Sequence, residues 1–134
     1  MNFLLDTSVV VKYLRDKPGA WKFVNKLLDE GELKFSLISY GELEYGARLA
    51  DNYEKEKSKV EECVDKLLIE ILPMTMGTME VYAKARRTLE KKGEGLDDFD
   101  LLIGATAVEN ELVLVTDNEK HFARFPGLKV YKRD

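Results

Sequence analysis

The chain holds one cysteine, one histidine and no glutamine. A lone Cys63 can neither close an internal disulfide nor anchor a multi-cysteine metal site, and a free helix-face thiol fits a reducing compartment. Long apolar runs are missing too: none approaches the roughly 20 residues needed to cross a bilayer. Met1 leads straight into Phe3-Leu4-Leu5-Asp6, with no basic segment ahead of an apolar one, so neither a membrane span nor a signal peptide is expected and the cytoplasm is the expected location. Cations are in the minority, 21 against 25 acids for a net charge of −4. That balance argues against wrapping a polyanion by positive charge alone, though not against an acidic site neutralised by metal. Repeats, low-complexity tracts and linkers are also absent, so residues 1–134 are expected to form a single domain. Richness in Lys and Glu without glutamine is a composition common in proteins from hot environments.

What is present is an alternation of apolar runs and amphipathic stretches. Asn2 to Asp6 reads as a buried strand ending in a carboxylate. Ser8 is placed to cap a following helix, although Val9-Val10-Val11 is an awkward first turn. A second helix spans about Ala20 to Glu30, stopped by Gly31. Leu33 to Ile38 reads as strand two, with Ser39 capping the next helix and Glu42 at capping-box spacing. Tyr53 to about Ile69 reads as a helix with Val60, Val64, Leu67 and Leu68 inward, and Glu70 to Met74 as a third strand. Thr78 to Lys92 and a stretch from Asp97 are helical, Leu112 to Thr116 is an apolar strand, and Leu128 to Lys132 is the last. Alternating strands and helices with unbroken apolar strands predict an α/β fold, a three-layer α/β/α sandwich around a mainly parallel sheet.

Ligands of open parallel sheets bind outside the carboxyl ends of the strands, and the carboxylates fall there. Asp6 ends strand one, Glu42 lies in the helix after strand two, and Asp100 opens the helix begun near Asp97. Asp117 and Asn118 follow the fourth strand. No lysine or arginine accompanies them locally. Bare clustered carboxylates repel one another, and a hard divalent cation such as Mg²⁺ or Mn²⁺ relieves this through oxygen ligands. Two such ions can activate water and stabilise both oxygens of an in-line phosphoryl displacement, so phosphodiester hydrolysis is the implied chemistry. Each residue also has a plainer role open to it: Asp6 as a cap, Glu42 as the partner of Ser39, Asp97 as an N-cap, Asp117 and Asn118 as turn residues. His121 reads as a surface or packing residue.

Four segments, in order, resemble the motifs of the PIN-domain family, and within it the VapC-type toxins. They are Leu4-Leu5-Asp6-Thr7-Ser8; Ser39-Tyr40-Gly41-Glu42-Leu43-Glu44-Tyr45-Gly46; Asp100-Leu101-Leu102-Ile103-Gly104-Ala105-Thr106-Ala107, with Gly104 where alanine is commoner; and Leu114-Val115-Thr116-Asp117-Asn118 with His121-Phe122 and Pro126-Gly127-Leu128. The resemblance implies a Mg²⁺- or Mn²⁺-dependent endoribonuclease, the toxin of a toxin–antitoxin pair. It implies Asp6, Glu42 and Asp100 as catalytic metal-binding carboxylates, with Thr7 and Thr116 supporting them. The fourth catalytic and metal-binding position is expected at Asp117, the carboxylate present, with Asn118, which holds the family's spacing, as its alternative and in the supporting shell. RNA as substrate, a homodimer and a small cognate antitoxin are the implied partners. Tyr40, Leu43, Tyr45 and Trp21 are compatible contact residues, though such residues are more often plain core. The competing reading is a PIN-fold scaffold without catalysis.

Overall fold

The computed structural model describes residues 1–133. Five strands, β1 (Phe3–Leu5), β2 (Leu33–Ser36), β3 (Glu70–Leu72), β4 (Val113–Val115) and β5 (Lys129–Val130), form one sheet in the order β3-β2-β1-β4-β5. Every pairing is parallel, with Leu5 opposite Phe35 on one side and Val115 on the other. The helices are α1 (Thr7–Leu14), α2 (Ala20–Glu30), α3 (Leu37–Leu49), α4 (Tyr53–Lys66), α5 (Met76–Lys91), α6 (Asp98–Glu109) and the short α7 (Glu119–Phe122).

Side chains of a strand alternate between faces, and both faces of β1 are covered. Phe3 and Leu5 pack with Val9, Val24, Leu43, Val60 and Leu67 from α1 to α4 and the turn after it. Leu4 and Leu114 face the other way, against Ile103, Ala107 and Phe122. This two-sided burial is why the strands read as unbroken apolar runs. The chain builds β1, β2 and β3 outward in one direction, then returns to lay β4 and β5 on the free side of β1. The order therefore reverses between β1 and β4, and a crevice opens at their carboxyl ends.

Several local expectations are corrected. The cap of α1 is Asp6, whose side chain accepts from the Thr7 amide, rather than Ser8. The valine run is helical all the same, because Val9 and Val10 are buried and packing overrides weak propensity. Helix α3 begins three residues earlier than expected: Ser36 is its cap and accepts from the Ser39 amide, so Ser39 is itself helical and buried. Leu68 is 79% exposed rather than inward. There the chain leaves α4 in a left-handed conformation (φ 54°) to enter β3, and that turns the side chain out. Cys63 is a free thiol on the buried face of α4. Trp21 and Tyr45 are exposed, whereas Leu43 belongs to the core.

Gly104 lies inside α6, where glycine costs about 1 kcal/mol relative to alanine. A Cβ there would meet the buried Phe125 ring at 2.6 Å. The missing methyl lets the segment before β5 lie against α6, which accounts for glycine where alanine is commoner.

Candidate active site

The pairing of Leu5 with Val115 brings the next residues, Asp6 and Thr116, side by side at the crevice. The Asp6 amide donates to the Val115 carbonyl at 2.8 Å. Thr116 Oγ1 donates to Asp6 Oδ2 at 2.7 Å and itself accepts from the Asn118 amide at 3.0 Å. The hydroxyl is thus fixed from both sides. Asp6 Oδ1 accepts from the Thr7 amide at 2.8 Å. Asp6 is only 8% exposed, and among the described residues it pairs with no cation. Desolvation lifts its pKa above the ordinary carboxylate value; the hydrogen bonds from Thr116, Thr7 and Ser8 partly offset this, and the charge of Asp117 adds to it.

Thr7, the first residue of α1, donates through Oγ1 to Glu42 Oε1 at 2.6 Å. Because Ser36 caps α3, Glu42 sits beyond the first turn and is not the capping partner of Ser39. Its carboxylate is free to turn toward α1. A continuous line, Glu42–Thr7 then Asp6–Thr116–Asn118, therefore joins three segments of the chain across the ends of β1, β2 and β4.

Asp97 caps α6 by accepting from the Asp100 amide at 3.0 Å. Helix α6 leads back into β4, so its amino end lies at the carboxyl edge of the sheet. Asp100 Oδ2 lies 2.9 Å from His121 Nε2, with both side chains about a quarter exposed, at 25% and 24%. Burial raises the Asp100 pKa, the His121 bond opposes this, and Asp97 adds to it. His121 is therefore a partner of Asp100 rather than a bystander. The signal was available: α7 starts directly after β4, so its first turn returns to the same edge.

Asp117 differs from the others. Its Oδ2 pairs with Lys12 Nζ at 3.0 Å and its Oδ1 with Arg133 Nη1 at 2.8 Å. Neither cation belongs to the local stretch around Asp117: one comes from α1 and the other from the segment after β5. Asn118 opens α7 without a side-chain cap bond.

Asp6, Glu42, Asp100, Asp117 and Asn118 thus share the carboxyl edge. Among the described residues no three acidic, histidine or cysteine side chains close around one point as a ready ion cage. The donor set is nonetheless all oxygen, and a desolvated carboxylate without a cation is what a hard divalent ion would stabilise. The residues fit such a metal by their chemistry.

The PIN domain family model matches residues 3–128. The Ribonuclease VapC2 of Rickettsia felis is 31% identical over 129 residues, covering 96% of this chain and 95% of that protein. The tRNA(fMet)-specific endonuclease VapC of Shigella flexneri is 26% identical over 129 residues, 96% of each. The structure of VapBC2 from Rickettsia felis bound to a DNA fragment from its promoter superposes with a TM-score of 0.90 at 27% identity over 100% of both chains. With the fold, the motif order and these likenesses running the length of the chain, the protein belongs to the PIN domain family.

Proposed function

We propose that this chain is a metal-dependent endoribonuclease, the toxin of a toxin–antitoxin pair, with its active centre at the carboxyl ends of β1 and β4. The observation that carries the reading is the buried Asp6 joined to Glu42 through Thr7 and to β4 through Thr116. Asp6, Glu42 and Asp100 are the residues that would hold Mg²⁺ or Mn²⁺. When bound, the ion would supply an activated water and charge neutralisation at a phosphodiester. The chain's own contribution is positioning. Thr116 and the Thr7 amide hold Asp6 in one orientation, Thr7 turns Glu42 toward it, and His121 fixes the Asp100 carboxylate. Burial strengthens each of these interactions by excluding water.

The names of its relatives support this reading: VapC ribonucleases, one of them specific for tRNA(fMet). The VapBC assembly among the solved structures supports a second protein, an antitoxin, bound to this chain. Exposed Trp21, Tyr45 and Leu49 are apolar surface available to such a partner or to a second copy. No helix among the described residues is long and apolar enough to cross a membrane, and an RNA substrate makes the cytoplasm the place of action.

The test is incubation of the purified chain with a structured-RNA pool in Mg²⁺ or Mn²⁺, with chelator and Asp100→Asn controls. Discrete cleavage lost in both controls is expected. Cleavage that persists in the Asn variant, or a chain that neither binds metal nor cuts RNA, sinks the reading and leaves a scaffold.

A further inference from the structure

Beside the acidic centre lies a pocket of opposite character. It opens between α1, the turn into α2 and the end of the chain, and Lys12, Lys17 and Arg133 line it over an apolar floor that includes Val9 and Phe23. Asp117 holds two of the three cations, one on each oxygen. The Arg133 guanidinium also lies 3.9 Å from the centre of the Phe23 ring, which fixes its plane. Lys17 makes no ion pair among the described residues. Among the described residues here, one paired carboxylate among three cations leaves two positive charges, in a chain whose net charge is −4. The amino end of α2 faces the same pocket without a side-chain cap, and its dipole adds to the field.

A polyanion approaching Asp6 and Glu42 meets repulsion, so its backbone needs a cationic hold nearby. We propose that Lys12, Lys17 and Arg133 form a phosphate subsite that grips the RNA backbone next to the bond to be cut. Asp117 is the anchor that Lys12 and Arg133 share. This rests on the ribonuclease reading and adds to it the place where the substrate strand lies. A lysine or arginine on phosphate contributes to affinity whatever the sequence and leaves a signature in the salt dependence.

The experiment measures binding of a 2′-O-methylated single-stranded RNA oligonucleotide, in chelator, by fluorescence anisotropy across a range of salt. Full-length wild type is compared with Lys17→Ala, with Lys17→Ala/Arg133→Ala, and with Lys91→Ala in α5 as a remote control. Each cation removed from the subsite should lower the slope of log K against log salt by about 0.7. The loss should be the same for unrelated sequences, and Lys91→Ala should change nothing. In cleavage assays Lys17→Ala should raise KM and leave kcat near wild type. Lys17 is exposed in a turn, and a charge-reversing Lys17→Glu variant should deepen the loss without altering thermal melting. Unchanged slopes in a wild-type protein that still cuts RNA would overturn the subsite and leave the nuclease standing. A wild type that neither binds nor cuts RNA would remove both.

Discussion

Replacing Asp6 by asparagine should abolish cleavage and, in the metal-free protein, raise stability. Asparagine keeps the shape, its carbonyl can still accept from the Thr7 amide, and the Thr116 hydroxyl can rotate to accept from the new amide group. What it removes is a negative charge that burial penalises and Asp117 repels. A carboxylate whose folded pKa lies above its unfolded value of about 3.9 destabilises the fold wherever it is ionised. That cost is full above the folded pKa and shrinks as the pH falls from the folded toward the unfolded value. Each pKa unit by which burial lifts Asp6 corresponds to about 1.4 kcal/mol. For 134 residues, an unfolding entropy of roughly 2.1 cal/mol/K per residue makes 1 kcal/mol worth about 4 °C of Tm, so each unit reads as roughly 5 °C. The assay is thermal melting in chelator from pH 8 to pH 4. The variant should melt higher at pH 8, and the gap should hold until the pH reaches the folded pKa of Asp6 and narrow below it. Added Mn²⁺ should raise the wild-type melting temperature and have less effect on the variant. A variant that melts lower than wild type at pH 8, or a gap independent of pH, would refute the idea that Asp6 is a strained anion awaiting a cation.

Gly104→Ala should lose about 1–3 kcal/mol, seen as a lower Tm, because the new methyl meets the Phe125 ring; an unchanged or higher Tm would show that the ring yields freely. Burial pushes the Cys63 thiol up to about 11, so the native protein should react with iodoacetamide at pH 8 far more slowly than the same chain in denaturant, and equal rates would contradict its burial. Asp97→Ala removes the cap of α6 and should cost about 1 kcal/mol in denaturant unfolding. It also removes the negative neighbour that raises Asp100, so the acid limb of the cleavage profile should move to lower pH.

The succession of strands and helices along the chain was legible because two-sided burial gives a clear apolar signature, and β1 and β4 fall where Leu4-Leu5 and Leu114-Val115 mark them. Helix starts were harder. Ser36, Ser39 and Ser8 are equally good caps by residue type, and only the register of β2 against β1 decides that Ser36 turns the chain. For the site, carboxylates at strand ends could be read from sequence, since topology alone sends them to one edge. Partners contributed from far away could not. Lys12 lies on a helix facing Asp117, Arg133 is the last residue but one, and neither spacing carries a periodic signal. His121 was a nearer miss, concealed because a single histidine on a four-residue helix resembles any surface residue until Asp100 is placed.

The bond from Thr116 to Asp6 spans 110 positions of sequence, and this has a consequence for the order in which the folded protein assembles. The strand that leads into Asp6 is the central one and acquires its second neighbour only when β4 joins the sheet. Such a distant pairing is slow to form, because the intervening chain must be ordered before the contact returns anything. The wall beside Asp6 therefore belongs to the late contacts of folding, and a chain that has packed β1 against β2 alone still lacks the hydroxyl that orients this carboxylate.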